Sequence, residues 1–295
     1  MQKLSNSEII KKIQDGELFE CRSLDNSFSL KIESYTPAIC VALHAGHNLR
    51  PELVAKCLLD EQERLYEEDP FTDQFISAMP ITLVANDSRY EYDLNRPLAN
   101  CIYSKAWGKE VWGKKLSNKE RTISADKHKS FYSILDALVI ATEKQYGAAL
   151  LFDVHSYNYL RRDESTPVFN LGSEQINKER WQKVVDSSIS LLNKIELPNM
   201  PVNALENSVF FGRGYMIAHV NSRFQNSLVL PIEIKKIFMD ELKGEPYPLV
   251  MQELNQQFKA FLVNISTTFS RRFTSKRKVK RSDMLTEKLD PAIKT

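Results

Sequence analysis

The stretch PAICVALHAGH, residues 37–47, indicates the fold class of this chain of 295 residues. Its first seven residues are apolar without interruption and include β-branched side chains, and the run stops abruptly at His44. A continuous apolar run, unlike an alternating one, is typical of a central strand that is buried on both faces. We therefore predict a buried strand whose carboxyl end carries His44 and His47.

Predicted strands and helices alternate along the rest of the chain. Further strands are predicted at residues 81–85, 148–154 and 227–234, and helices at residues 51–66, 127–146, 179–195 and 252–269. Such alternation favours an α/β fold, with a mostly parallel or mixed central sheet flanked by helices on both faces. We expect residues 1–270 to form a single domain of this class.

Composition excludes several other classes of protein. The chain is 42% hydrophobic and 26% charged, as globular proteins are, and its net charge of +2 gives no global indication of a nucleic-acid or membrane partner. It contains no apolar run of about 18 residues, so we predict no membrane-spanning helix. The four cysteines show neither close pairing nor zinc-ribbon spacing. We interpret them as reduced, and the protein as cytoplasmic.

The last segment of the chain differs in charge from the rest. Seven lysines and arginines lie between Arg271 and Arg281. We expect residues 271–295 to form a basic, flexible, solvated tail, with a nucleic-acid contact as the less favoured interpretation. The sequence makes no prediction of oligomeric state.

Polar side chains collect where the predicted strands end. His44 and His47 follow the first strand, His155 follows the strand at 148–154, and Glu233 lies near the end of the strand at 227–234. Ligands of open α/β sheets bind at the carboxyl ends of the strands. Three histidines can hold one zinc ion and leave a fourth position for water, whose proton a carboxylate such as Glu233 can accept.

The same residues also allow a purely structural interpretation. Histidines at strand ends often serve only as hydrogen-bonding residues, and Glu233 could pair with Lys235 or Arg89. Asp153 precedes His155 by two residues and so shares its face of the strand, either to orient it or to form a buried salt bridge. We place His128 at a polar helix start and His219 in a loop, and treat both as non-ligands.

A second group of candidate binding residues lies in SRYEYDLNRP, residues 88–97. The guanidinium group of an arginine matches a carboxylate with two parallel hydrogen bonds, and an asparagine can donate beside it. Asn95 and Arg96 are therefore candidates for binding an acidic substrate.

Five segments together resemble the N-formylglutamate amidohydrolase family of the zinc carboxypeptidase-like superfamily. In order they are HAGHNLRPEL (44–53), EEDPFTD (67–73), SRYEYDLNRP (88–97), FDVHSYN (152–158) and PIEIKKIFMDE (231–241). The resemblance spans roughly residues 38–247. It implies a zinc carboxypeptidase-like (phosphorylase/hydrolase-like) fold and one catalytic zinc ion.

The resemblance also implies metal ligands. His44 and His155 occupy the positions of two ligand histidines. The superfamily often has a glutamate three residues after the first histidine, where this chain has His47. His47 is therefore the expected second ligand, with Asp69 or Asp73 as alternatives.

The remaining roles implied by the resemblance concern the substrate. Asn95 and Arg96 match the pair that holds a substrate carboxylate, Glu233 matches the general base, and Arg89 matches an arginine that polarises the scissile carbonyl. Where deformylase-type members carry a Gly-Gly-x-x-Thr-like segment, this chain has only Gly212-Arg213-Gly214.

These implications lead to an expected function. We expect a zinc-dependent amidohydrolase that cleaves a linear amide in a small, acidic N-acyl substrate such as an N-formyl amino acid. The alternatives are a catalytically inactive family member that binds a metabolite or a protein partner, and a zinc carboxypeptidase-like peptidase.

Overall fold

The computed structural model describes residues 1–163 and 165–275. Its strands are β1 (Gln2–Leu4), β2 (Phe19–Ser23), β3 (Phe28–Ile32), β4 (Ala38–Ala42), β5 (Ile81–Ala85), β6 (Lys105–Ala106), β7 (Lys109–Glu110), β8 (Ala149–Tyr157), β9 (Phe169–Leu171), β10 (Ala204–Glu206), β11 (Ser227–Lys235), β12 (Met239–Asp240) and β13 (Glu245–Pro246). Its helices are α1 (Asn6–Gln14), α2 (Pro51–Val54), α3 (Glu61–Glu67), α4 (Thr72–Ile76), α5 (Asn118–Tyr146), α6 (Lys178–Leu192), α7 (Tyr215–Arg223) and α8 (Pro248–Phe273), with a short 3-10 turn at Leu98–Asn100.

Nine strands form the central sheet, in the order β1-β2-β3-β5-β4-β8-β11-β9-β10. The four middle strands, β5, β4, β8 and β11, run parallel to one another. Antiparallel pairs flank them at β3–β5 and β11–β9. The predicted mixed α/β sheet is therefore confirmed, and the carboxyl ends of the parallel strands meet at one edge.

Helices cover the central strands. Helix α1 packs against α5, while α4 and α6 pack against α8, and α7 packs against β11. Every residue of β4 and β8 is buried, as strands covered on both faces require. No helix within the described residues is both long and apolar enough to span a bilayer.

The predicted helix at residues 51–66 is wrong: the segment forms two helices, α2 and α3. Between them Leu58 donates its main-chain N–H to Val111, and Cys57 bridges to Trp112, so the chain leaves the helical path. Asp60 then begins α3 with a capping box that includes Glu63.

Other boundaries differ from prediction for local reasons. Helix α5 begins at Asn118 rather than 127, because Ser117 and Glu120 form a capping box there. Strand β8 continues to Tyr157, because β11 pairs with it as far as Lys235. His155 therefore lies within a strand rather than after it.

The predicted basic tail lies mostly beyond the described residues. Helix α8 runs through Phe273, so Arg271 and Arg272 lie in its last turn. Residues 276–295 are outside the described part of the chain.

Candidate metal and substrate site

A cavity of about 500 Å³ opens at the carboxyl ends of the parallel strands. Seven of the predicted site residues line it: His44, Asp69, Arg89, Asn95, Arg96, His155 and Glu233. The convergence follows from topology, because β4, β8 and β11 are neighbours in the sheet and end at the same edge.

Three buried side chains at this cavity bring their donor atoms together. Asp69 Oδ2 lies 3.2 Å from His44 Nδ1 and 3.0 Å from His155 Nδ1. One donor atom from each residue lies within 4.8 Å of the other two. His44 follows the end of β4, His155 lies in β8, and Asp69 comes from the segment after α3. Burial alone would raise the pKa of Asp69, but hydrogen bonds from both histidines hold it far below its usual value.

A second carboxylate faces the other nitrogen of each histidine. His44 Nε2 lies 2.8 Å from Asp93 Oδ1, and His155 Nε2 lies 2.9 Å from Asp153 Oδ1, the latter a close contact rather than an aligned hydrogen bond. Burial would lower the pKa of His155, but Asp153 and Asp69 raise it well above its usual value. Carboxylates in this position orient histidine ligands and increase their basicity.

Hydrogen bonds hold the main chain around Asp69 in place. The main-chain N–H of Asp69 donates to the carbonyl of His44 at 2.9 Å, and Thr72 Oγ1 donates to the carbonyl of Asp69 at 2.7 Å. The buried ammonium of Lys236 donates to the carbonyls of Tyr66 and Glu68, at 2.7 Å each. The Asp69 carboxylate is thus presented by a fixed segment rather than by a free loop.

His47 does not face this cluster, contrary to expectation. Its Nδ1 is hydrogen-bonded to Glu68, and its Nε2 lies 3.4 Å from Glu61 Oε1. The cause is the path of the main chain after His44. A Cβ on Gly46 would lie 2.1 Å from the main chain of Asn86, so residues 46–48 run closely along that segment and His47 turns away.

Asp73, the other alternative ligand, also lies elsewhere. It occupies the first turn of α4, and burial raises its pKa. It does not line the cavity, so of the two acidic alternatives the structure places only Asp69 beside His44 and His155.

Glu233 lies beside the three donors. It is half-buried on β11, where its register partner on the neighbouring strand is His155. Burial raises its pKa to about 8; Asp69 and Asp153 add to this effect, while His155 and Arg89 oppose it. A carboxyl whose pKa lies near neutrality can exchange a proton with a substrate or water.

Arg89 also lines the cavity, and its contacts fix its orientation. Its Nη2 donates to Asp93 Oδ2 at 2.8 Å, and its Nη1 donates to the carbonyl of Glu67 at 3.0 Å. The guanidinium carbon lies 4.8 Å from the centre of the Trp107 ring. Through Asp93 this cation is connected to His44.

Asn95 and Arg96 follow Asp93 in a tight turn. Asp93 Oδ1 accepts the main-chain N–H of Asn95 at 2.7 Å, and its carbonyl accepts that of Arg96 at 3.2 Å. The Oδ1 atom of Asn95 is buried without a hydrogen bond in the described part of the chain. Both side chains line the cavity, where an anion could meet them.

The two histidines treated as non-ligands lie at other places in the fold than predicted. His128 is buried in the middle of α5 rather than at its start, and His219 is in helix α7 rather than in a loop. His128 Nε2 contacts the carbonyl of Arg96, and His219 Nε2 contacts Asp136.

Sequence reasoning missed two residues of this site, Asp93 and Lys236. Asp93 could have been found, because an aspartate two residues before Asn95 is placed to accept its main-chain N–H, a common turn interaction. Lys236 carries no comparable signal in the sequence, since its importance comes from burial against a segment that is distant along the chain.

Several solved structures are similar to this chain. An N-formylglutamate amidohydrolase from Ralstonia eutropha JMP134 matches with a TM-score of 0.71 at 19% identity, over 83% of this chain and 98% of that chain. A gene product from Agrobacterium tumefaciens matches with a TM-score of 0.61 at 14% identity, over 81% and 96%. A metallo-carboxypeptidase from Burkholderia cenocepacia matches at 14% identity with a TM-score of 0.41, over 89% and 68%.

Sequence comparison identifies the family. No curated protein sequence matches this chain significantly. The sequence model of the N-formylglutamate amidohydrolase family, however, matches residues 36–239, more than half of the chain and every segment that lines the cavity. This chain belongs to the N-formylglutamate amidohydrolase family.

Proposed function

We propose that this protein is a metal-dependent hydrolase that cleaves the amide bond of a small, carboxylate-bearing N-acyl amino acid. The observation that carries the proposal is the buried cluster of His44, Asp69 and His155 at the base of the cavity. The cluster lies beside Glu233, a carboxyl group suited to proton transfer, and near Asn95 and Arg96, which are suited to anion binding.

The spacing of the three donors fits one metal ion. Zinc binds histidine nitrogen and carboxylate oxygen at ~2.0–2.2 Å, so two ligands of a tetrahedral site lie roughly 3.4 Å apart. Asp69 Oδ2 lies 3.2 Å from one histidine donor and 3.0 Å from the other. Nitrogen and oxygen donors of this kind suit zinc, which we propose as the single divalent ion.

The charge of the site also fits a dication. The carboxylates of Asp69, Asp93, Asp153 and Glu233 lie around two histidines, whereas Arg89 and Lys236 are the cations among them. Without a metal ion, the raised pKa of Glu233 favours its protonated form near neutral pH and the raised pKa of His155 favours its charged ring, so the cluster offsets its negative charge by holding protons. A divalent cation would replace those protons and leave neutral imidazoles beside an ionised Glu233.

The chain's own residues divide the chemistry among them. A divalent cation held by His44, Asp69 and His155 would supply Lewis-acid polarisation of the amide carbonyl and would lower the pKa of water to about 7. Glu233 is placed to accept a proton from the attacking water and to return it to the leaving nitrogen. Arg89 polarises the carbonyl with N–H groups not used by Asp93 and Glu67.

Polar and cationic side chains that line the cavity, Asn95, Arg96 and Arg162, are suited to bind the substrate. Asn95 and Arg96 hold the carboxylate of the substrate. In the described part of the chain neither Arg96 nor Arg162 forms an ion pair, and Arg162 lies 5.0 Å from the centre of the Phe210 ring at the same cavity. A cavity of about 500 Å³ suits a small molecule better than a folded protein. The cytoplasm remains the predicted location.

A matched pair of variants tests the proposal. Asp69→Asn removes a donor charge from the cluster, whereas Asp73→Asn makes the same change four residues away, outside the cavity. Metal content by elemental analysis and hydrolysis of N-formyl, N-acetyl, N-succinyl and dipeptide substrates are measured for both. We expect wild type and Asp73→Asn to hold one equivalent of zinc and to hydrolyse an N-acyl substrate, and Asp69→Asn to lose both.

Each alternative gives a different pattern. Stoichiometric metal without turnover of any substrate would favour an inactive binding module. Preferential turnover of dipeptides would favour a peptidase. Full metal content and activity in Asp69→Asn would refute the proposed site.

A further inference from the structure

The main chain of Asn95 and its two neighbours is held by helices that do not line the cavity with their own side chains. The hydroxyl of Tyr132 donates to the carbonyl of Leu94 at 2.6 Å, and His128 Nε2 lies 2.9 Å from the carbonyl of Arg96. The main-chain N–H of Tyr215 donates to the carbonyl of Asn95 at 3.3 Å. Three consecutive carbonyls thus have partners on α5 and at the start of α7.

His128 and Tyr132, the two α5 side chains that contact these carbonyls, lie on one face of the helix. His128 and Tyr132 are four residues apart, so they lie on the same face of the helix. Their ring centroids are 5.0 Å apart, and the Tyr215 ring lies 5.0 Å from Tyr132 and 5.7 Å from His128. Both α5 side chains are buried. Packed rings of this kind have few alternative rotamers, so the hydrogen bonds they make are fixed in direction.

His128 is suited to donate rather than to carry charge. A carbonyl oxygen only accepts hydrogen bonds, so Nε2 of His128 must carry the hydrogen. Burial lowers the pKa of His128, which favours the neutral ring. A neutral ring in one tautomer can hold the Arg96 carbonyl without adding a charge behind the anion-binding residues.

We propose that His128 and Tyr132 are positioning residues for the carboxylate-binding pair Asn95 and Arg96, and this inference rests on the proposed function. Asp93 holds the same turn from the cluster side, through the N–H groups of Asn95 and Arg96. The α5 residues hold it from the opposite side, through carbonyls. The turn is therefore fixed relative to both the metal cluster and the helix layer.

The test uses variants that remove single hydrogen bonds. Tyr132→Phe deletes one hydroxyl, His128→Phe keeps a ring but deletes the donor, and His128→Gln restores an N–H donor. Tyr146→Phe is the matched control, because its hydroxyl donates to the carbonyl of Tyr35 at the other end of α5. Zinc-loaded full-length proteins are assayed with N-formyl-L-glutamate and with its 1-carboxamide, which lacks the α-carboxylate.

We expect a specific kinetic pattern. Tyr132→Phe and His128→Phe should each raise KM for the free acid about tenfold, as loss of one buried hydrogen bond allows. The change in kcat should be no more than about threefold. KM for the carboxamide should not change, His128→Gln should recover most of the loss, and Tyr146→Phe should resemble wild type. Equal effects on acid and carboxamide, or a fall in kcat alone, would overturn the inference.

A second measurement separates this inference from the proposed function. Amide hydrogen exchange of a peptide covering residues 93–97 is followed in all four variants, which requires no turnover. We expect faster exchange in Tyr132→Phe and His128→Phe only. Unchanged exchange there overturns the positioning role even if wild type is active. Faster exchange with an inactive wild type would instead contradict the proposed function.

Discussion

Glu233 on β11 is the register partner of His155 on β8. Because the two strands are parallel neighbours, both side chains reach the cavity at the same height along the sheet. The proposed proton carrier is therefore placed beside a proposed metal ligand by strand pairing, and side chains on strands are held more precisely than side chains on loops.

This relationship predicts that Glu233→Gln removes turnover but not metal. The amide keeps the size of the side chain and loses only its ability to accept a proton, so kcat should fall on the order of 10²–10⁴-fold. Elemental analysis should still give one equivalent of zinc. Glu245→Gln, at an exposed strand position, serves as the control and should behave as wild type. Loss of zinc in Glu233→Gln would mean that the residue is a ligand.

A second prediction separates His47 from the metal site. His47→Leu should keep its zinc, whereas His155→Leu should lose it. The His47 variant should instead lose about 1–3 kcal/mol of unfolding free energy, because among residues 1–163 and 165–275 the fully buried carboxylate of Glu68 would retain only Ser88 as a side-chain hydrogen-bond partner. Urea unfolding and elemental analysis of the two variants check this. If His47→Leu lost its zinc but kept its unfolding free energy, His47 would be a metal ligand, contrary to this prediction.

A third prediction concerns pH. Burial lowers the pKa of Lys236 to about 8, whereas an unfolded lysine titrates near ~10.4. Between these values the unfolded chain binds the extra proton, so stability contributed at this site rises with pH from about 8 to about 10, by on the order of 3 kcal/mol at most.

The slope of unfolding free energy against pH, compared between wild type and variants, separates the titration of Lys236 from that of other groups. Lys236→Met removes the titration, so wild type should gain stability relative to Lys236→Met as pH rises from 7.5 to 9.5 in denaturant unfolding. Lys243→Met, an exposed lysine, should keep the wild-type slope. Parallel pH profiles for wild type and Lys236→Met would show that Lys236 titrates normally.

The fold was largely predictable because its central strands are mostly apolar segments. Those segments predicted the strands of residues 81–85 and 227–234 almost to the residue. The helix predicted at 51–66 failed for a reason outside the local pattern, since Leu58 pairs with Val111 across a long separation in sequence.

The positions of the candidate site residues in the fold were predictable to a similar extent. Strand ends placed His44, His155 and Glu233 around one cavity, as topology requires. The choice among His47, Asp69 and Asp73 depended on the directions of side chains in residues 46–48 and 68–73. For His47 that direction follows from the close packing of Gly46 on Asn86, which no periodicity in the sequence encodes.

The last prediction concerns Gly214, where α7 begins against the side chain of Asn95. A Cβ at this position would lie 2.2 Å from Asn95 Oδ1 and 2.8 Å from both other atoms of the amide group. The backbone of Gly214, with φ −66° and ψ 162°, is open to alanine, so the nearest conflict is with the side chain of Asn95 and not with the backbone conformation.

Gly214→Ala should therefore displace the Asn95 amide and raise KM for an N-acyl amino acid roughly 10- to 100-fold, the value of one charge-assisted hydrogen bond. Unfolding free energy should fall by no more than about 1 kcal/mol, since only the residue before the helix changes. In an Asn95→Ala background the same substitution should have little further effect on KM, because the amide it displaces is already gone. Additive effects in this cycle would show that Gly214 acts on the substrate or on Arg96 directly, and not through Asn95.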